Sequence, residues 1–235
     1  MSSVFCIIQA RLGSTRLPAK VLKSVGNKLL VEHVLNRCLE AFPANEIVIA
    51  TTNLNEDDTL VSFLQKKYNV HIYRGDSLDV RSRFTAIARQ FNLSGLVRVT
   101  ADDPFKDPAH LIEARNYIEK LGYDYFNNFE YQAFPTGFDT ESVLSPILYR
   151  NEIIDGSNHS KEHVTWGIRQ DQKIKKFYVS SPPIYQNLRF TIDTQDDLEF
   201  CAAVATLLER THPGNYDYRV TISAALKVLK NWRLA

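Results

Sequence analysis

Along the chain, short apolar blocks alternate with segments whose apolar positions recur every three or four residues. The first block, Val4–Gln9 (VFCIIQ), contains β-branched members and opens into a polar, glycine-bearing loop, which predicts a buried strand. Leu29, Leu30, His33, Val34 and Arg37 then recur at helical steps, predicting an amphipathic helix over 29–41. The pattern repeats, with strands predicted over 46–52 (EIVIATT), 71–74 and 96–100 (LVRVT), and helices over 57–68, 77–91 and 108–120. Pro108 fits the first turn of the last of these. Strands alternating with helices of this length predict an α/β fold with a mostly parallel sheet covered on both faces.

The rhythm changes after Gly122. Residues 123–138 are dense in aromatics and asparagine, 138–144 (FDTESVL) alternates like an antiparallel strand, and 145–170 reads as helix in two pieces. Residues 174–179 and 188–192 read as returning strands on either side of a Pro182-Pro183 turn, before helices over 195–210 and 220–231. No repeat, low-complexity tract or long linker divides the chain. The expectation is one domain over 1–235, with 123–187 as a small antiparallel excursion available for acceptor binding or dimerisation.

Composition mainly excludes. With 235 residues and 44% apolar content, the chain can hide about 70% of its unfolded surface, so disorder is excluded as its main state. Lys and Arg number 28 against 27 Asp and Glu, which lacks the basic excess of a protein binding nucleic-acid polymers. Any polyanion site is therefore local. No apolar run approaches the roughly 20 residues of a membrane span, and no positive segment, apolar stretch and cleavage site opens the chain. These features predict a cytoplasmic protein without membrane insertion. Cys6, Cys38 and Cys201 lie far apart in apolar segments, which predicts free buried thiols.

Open parallel sheets bind ligands beyond the carboxyl ends of their strands. The loop after the first strand, residues 10–20 (ARLGSTRLPAK), sets Arg11, Arg16 and Lys20 around Gly13, Ser14 and Thr15 with no acidic residue. Three cations, two hydroxyls and a flexible backbone suit a polyphosphate. GxxxxGK[ST] is absent, so a P-loop reading has no support, and the absence of GxGxxG there weakens a dinucleotide-binding oxidoreductase reading. Two further strand ends carry carboxylates: Asp102 and Asp103 in TADDPFKDP, and Asp193 in FTIDTQDDLEF. Facing one another, Asp102 and Asp193 would hold a hard divalent ion, and Mg²⁺ needs few protein carboxylates because phosphate oxygens and waters complete its shell. Asp103 is open between a loop-stabilising and a ligand role, and Asp196 and Asp197 read as charge at a helix N-terminus. His159 and His163 are four apart, but HSKEH lacks the HExxH order of a zinc site.

Taken together, IIQARLGSTRLPAKVL, RVTADDPFKDP and FTIDTQDDLEF resemble the cytidylyltransferase family, the enzymes that make CMP-activated sugar acids. The SpsF-type branch, of spore coat polysaccharide synthesis, is the most similar. The resemblance implies a nucleotide-diphospho-sugar transferase-like fold. It also implies Mg²⁺-dependent transfer of CMP from CTP to an acidic sugar or related small acceptor, releasing pyrophosphate, in surface polysaccharide precursor synthesis. Carried over by motif, Ala10, Arg11, Gly13, Ser14, Arg16, Lys20 and Asp102 would bind nucleotide, with Arg74 in the region that selects the base. Lys20, Arg11, Arg16 and Asp102 would be catalytic, and Asp102 and Asp193 would hold the metal.

GFDTESVL resembles the family's segment near the acceptor, which makes Asp139 and Glu141 candidates there, and EHVTWGIR, similar to the SpsF-type EHVT segment, adds His163. In related CMP-acylneuraminate synthetases a second carboxylate stands two residues before the position of Asp193. Here that place is Thr191, so a second metal held by protein ligands alone is not implied. A guanylyl- or uridylyltransferase of the same fold is the alternative enzyme, usually with a more glycine-rich first loop than one holding only Gly13. A catalytically silent nucleotide-binding or scaffold protein is the alternative from another class. The aromatic stretch 123–131 (YDYFNNFEY) would cover a sugar face or bury a contact between copies, and its composition favours a homodimer.

Overall fold

The computed structural model describes residues 3–154, 156–180, 187–215 and 217–232. Strand β1 (Val4–Gln9) is followed by the first loop, a short hairpin of β2 (Ser24–Val25) and β3 (Lys28–Leu29), and helix α1 (Leu30–Ala41). Next come β4 (Ile47–Thr52), α2 (Asp58–Lys67), β5 (His71–Gly75), α3 (Val80–Gln90), β6 (Gly95–Thr100) and α4 (Pro108–Glu119). The remainder holds β7 (Tyr125–Asn127), β8 (Glu141–Leu144), α5 (Ser145–Ile154), α6 (Asn158–Glu162) and α7 (Trp166–Gln170). It closes with β9 (Lys176–Tyr178), α8 (Gln195–Thr211) and α9 (Tyr218–Trp232).

Seven strands form one sheet in the order β5-β4-β1-β6-β8-β7-β9. β5, β4, β1 and β6 are parallel, β8 runs antiparallel to both β6 and β7, and β9 is parallel to β7. Helices cover both faces, so neighbouring residues of a central strand enter different cores. Ile49 packs with Val34 and Leu60, whereas Val48 packs with Phe84 and Ile87. Each such fully buried side chain contributes roughly 1.5–3 kcal/mol, which is why β4 reads as a continuous apolar run rather than an alternating one.

A third core lies under α8 and α9, where Phe138 and Phe190 meet Cys201 and Ala225. Here two distant segments touch through Gly137. Its φ is +107°, and a Cβ would stand 2.8 Å from Phe190 Cβ and 2.9 Å from the Phe190 carbonyl carbon. The Phe190 N–H donates to Thr136 O at 2.8 Å, and Ile192 N–H donates to Asp102 O at 2.9 Å. Helix α8 starts at a reciprocal cap, Thr194 Oγ1 accepting from Asp197 N–H and the Asp197 carboxylate from Thr194 N–H.

Several expectations need correction. Residues 188–192 form no strand. Leu188, Phe190 and Ile192 are buried in alternation, but the backbone bonds go to two different neighbours and give a single bridge, Thr136 to Arg189. Residues 145–170 form three helices rather than two, interrupted by the Ser157 cap and by Val164 at φ +36°. The antiparallel excursion expected after residue 122 is present, with β8 running antiparallel to β6 and β7, and its strands β7, β8 and β9 belong to the main sheet. Within the aromatic stretch, Tyr125, Phe126, Asn127 and Asn128 are buried in the chain's own core, so these four cannot cover a sugar or touch a second copy. The Pro182-Pro183 turn lies outside the described residues. Cys6, Cys38 and Cys201 are free and buried.

Candidate active site

The loop after β1 is tied down where it starts. Leu12 N–H donates to Asp57 Oδ1 at 2.7 Å, and Ala19 N–H donates back to Leu12 O at 3.0 Å. Asp57 is fully buried, and its Oδ2 accepts from Thr51 Oγ1 (2.9 Å), from Thr52 N–H (3.1 Å) and from the Thr52 hydroxyl. One carboxylate therefore joins the loop to the end of β4.

At the far end of the loop Lys20 reaches three acceptors. Its ammonium donates to Asp102 Oδ2 (3.0 Å), Asp193 Oδ1 (2.9 Å) and Ile192 O (2.8 Å). Arg16 also pairs with Asp193 Oδ1 at 2.9 Å, and Arg189 pairs with Asp193 Oδ2. Burial opposes the charge on Lys20, but Asp102 and Asp193 outweigh it and raise its pKa. Burial likewise opposes ionisation of Asp193, yet Lys20, Arg16 and Arg189 hold its carboxyl below the usual range.

Lys20, Arg16, Asp102 and Asp193 line a cavity of about 400 Å³. Ala10, Arg11, Gly13, Ser14, Arg16, Lys20, Asp102, Asp193 and His163 all face it. Arg74 does not. Its guanidinium is taken by Thr52 O (2.9 Å), Leu54 O (2.7 Å) and Asp58 Oδ1 (2.6 Å). Glu162 of the EHVT segment also lines the cavity, as do Gln9, Thr100 and Arg98, which the sequence does not single out. Arg98 carried a signal, being a charge inside the apolar run LVRVT. The antiparallel register sets Arg98 opposite Glu141, and its guanidinium binds that carboxylate and Gln9 Oε1 (3.1 Å).

A smaller cavity of about 110 Å³ shares Arg98 and Thr100 with the first and extends to Asp139, Thr140 and Glu141. Glu141 is committed to its own chain, accepting from Arg98, Tyr125 Oη and Thr165 Oγ1 (2.7 Å). Burial opposes its ionisation, but Arg98 and the two hydroxyls hold its pKa low. Asp139 differs, since burial pushes its carboxyl up to about 6 against the pull of Lys106. Asp103 is a loop stabiliser, accepting from Thr100 Oγ1 (2.9 Å) and Thr191 Oγ1 (2.7 Å) and pairing with buried Lys106 at 2.7 Å. His163 sits at the end of α6, where partial burial and the adjacent His159 ring lower its pKa.

No three metal-ligating side chains gather among the described residues. Asp102 and Asp193 nevertheless aim oxygens at one cation, the Lys20 ammonium, beside an open cavity. Two hard carboxylates with room for phosphate oxygens and water fit a Mg²⁺ donor set.

The cytidylyltransferase family model matches residues 5–219. The chain belongs to the cytidylyltransferase family. Spore coat polysaccharide biosynthesis protein SpsF of Bacillus subtilis is 32% identical over 215 residues, which is 87% of each chain. A 3-deoxy-manno-octulosonate cytidylyltransferase of Solibacter usitatus is 34% identical over 105 residues, 44% of this chain and 40% of the relative. A solved cytidylyltransferase from Leptospira borgpetersenii matches with a TM-score of 0.86 at 25% identity, covering 98% of this chain and 95% of that one. As a cytidylyltransferase the protein is a nucleotidyltransferase with the nucleotide-sugar transferase-like α/β fold. No helix among its described residues is long and apolar enough to cross a membrane.

Proposed function

We propose that this cytidylyltransferase transfers CMP from CTP to an acidic sugar or related small acceptor, with Mg²⁺ between Asp102 and Asp193. The observation that carries this reading is the meeting of Lys20, Asp102 and Asp193 in a cavity also lined by Arg11, Arg16 and Ser14. In the proposed reaction an acceptor oxygen attacks the α-phosphorus, a new O–P bond forms, and the bond to the β-phosphate oxygen breaks to release pyrophosphate. Arg11, Arg16 and Lys20 offset the charge that spreads over the phosphoryl oxygens and the leaving group. A bound Mg²⁺ would supply Lewis-acid polarisation of the phosphates.

Asp139 and His163 face the acceptor in this reading. Glu141 has its oxygens occupied and acts by holding Arg98 at the junction of the two cavities. The SpsF likeness supports a role in surface polysaccharide precursor synthesis, and in this reading the enzyme works in the cytoplasm as a homodimer. The test is incubation with each nucleoside triphosphate, Mg²⁺ and a panel of sugar acids, read as pyrophosphate release. Turnover with CTP is expected, and turnover confined to GTP or UTP would refute the assignment.

A further inference from the structure

An ammonium has three N–H donors and no acceptor. In Lys20 all three are used, at 2.8–3.0 Å, on Ile192 O and on the two carboxylates assigned above to the metal. Lys20 therefore has no hydrogen left for a phosphate until it lets go of one of these three acceptors, two of which are the aspartates. The side chains are also poorly accessible, at 11% for Lys20 and 13% for Asp193. Without a cation between them, the two carboxylates would repel.

The surrounding charge matters as much. Arg16 and Arg189 both touch Asp193, so three cations surround the pair of carboxylates. A divalent ion arriving alone has to evict an ammonium from two carboxylates already paired with cations, Arg189 being shared between Asp193 and Asp197. A triphosphate changes this. Its oxygens can accept from Lys20, Arg16 and Arg11 and complete a metal shell as the carboxylates are released.

We propose that Lys20 is an internal stand-in for the divalent ion, holding Asp102 and Asp193 together in the empty enzyme and excluding metal until a nucleotide brings it in. The inference rests on the reading of this cavity as the Mg²⁺ and CTP site. It makes metal and nucleotide binding reciprocal, since each raises the affinity for the other by the same factor.

The experiment is Mn²⁺ binding to the full chain without nucleotide, followed by the electron paramagnetic resonance signal of free Mn²⁺. Wild type is expected to bind weakly. Lys20→Met keeps the stem and removes the charge, and is expected to bind Mn²⁺ about ten- to a hundredfold more tightly, the ordinary range of such couplings. Mn²⁺ should also raise the Tm of that variant and not of wild type, which confirms that it is folded. Adding Asp102→Asn should abolish the gain, and Lys20→Arg, with its charge intact, should stay as weak as wild type. If Lys20→Met does not fold, Lys20→Gln replaces it.

Equal Mn²⁺ affinity in wild type and a folded Lys20→Met, or a gain that survives Asp102→Asn, would overturn the proposal. A separate arm scans the wild-type Tm with CTP and Mg²⁺ against each alone. A gain of Mn²⁺ binding in Lys20→Met with no response to CTP in any combination would support the stand-in and remove the nucleotide reading.

Discussion

Replacing Asp57 with asparagine keeps its volume and removes one acceptor position and one charge. If the amide oxygen takes the place of Oδ2, the amide nitrogen points at Leu12 N–H. In the opposite orientation the two threonine hydroxyls can turn to accept, but Thr52 N–H then faces a donor. Either way one buried backbone N–H is left unsatisfied, and the remaining bonds lose their charged acceptor. A hydrogen bond to a charged group contributes about 1.5–3 kcal/mol, so Asp57→Asn should cost about 3 kcal/mol. For a domain of this size each kcal/mol lowers Tm by about 2–4 °C, which gives a drop of about 6–12 °C. Because Leu12 lies between Arg11 and Arg16 in the loop, KM for CTP should rise by about tenfold, roughly 1.4 kcal/mol of lost positioning. Urea unfolding and initial rates measure the two effects. A stability change within the roughly 0.5 kcal/mol of an ordinary surface substitution, with KM unaltered, would show that Asp57 does not anchor the loop.

Lys20→Ala and Asp102→Asn should each lower turnover by at least about a hundredfold while keeping the far-UV circular dichroism of the parent, and near-normal rates in either would remove these residues from the chemistry. His33 is buried with Nε2–H donating to Val25 O at 2.6 Å, and burial, helped by Arg37 and Lys28, pushes its pKa down to about 4. The unfolded chain takes up that proton near pH 6.5, so the stability from the neutral ring is full above pH 6.5 and is lost as pH falls toward about 4. The loss is roughly 3 kcal/mol, and His33→Gln should flatten the acid limb of Tm against pH; an unchanged limb would contradict this. Gly137→Ala should cost about 2–5 kcal/mol, from left-handed backbone strain and from the 2.8 Å approach to Phe190, as read by chemical unfolding.

The parallel half of the fold is legible because its strands are buried on both faces and its helices show one apolar stripe, so each block of sequence has a single reading. β7 is not, since three residues between aromatics and asparagines carry too short a pattern to separate strand from loop. Residues 188–192 show why periodicity can mislead. Their alternation reflects burial of Leu188, Phe190 and Ile192, but periodicity does not say where the backbone bonds go. At the cavity, the strand-end position of residues 10–20 and Asp102 is enough to predict that they share one face. Asp57 is invisible because its key partner, Leu12, lies 45 positions away and its own neighbours read as the start of a helix. Arg74 shows the opposite case, a cation near the right strand end whose guanidinium donates to local carbonyls and Asp58 and does not line the cavity.

The reversal of β8 decides which stretch of chain borders the smaller cavity. In the parallel part of the sheet the connections that leave the strands reach the ligand side. β8 runs the other way, so the connection that enters it, carrying Phe129, Asp139 and Thr140, arrives beside Arg98 and Thr100. Substitutions at Phe129 or Asp139 can therefore reshape the smaller cavity while the residues after β1 and their anchorage on Asp57 stay as they are, whereas Gly137 and Phe138 are held by their packing on Phe190. The topology thus gives the smaller cavity a border of its own, and under the proposed function that border is where acceptor preference could be altered without rebuilding the nucleotide side.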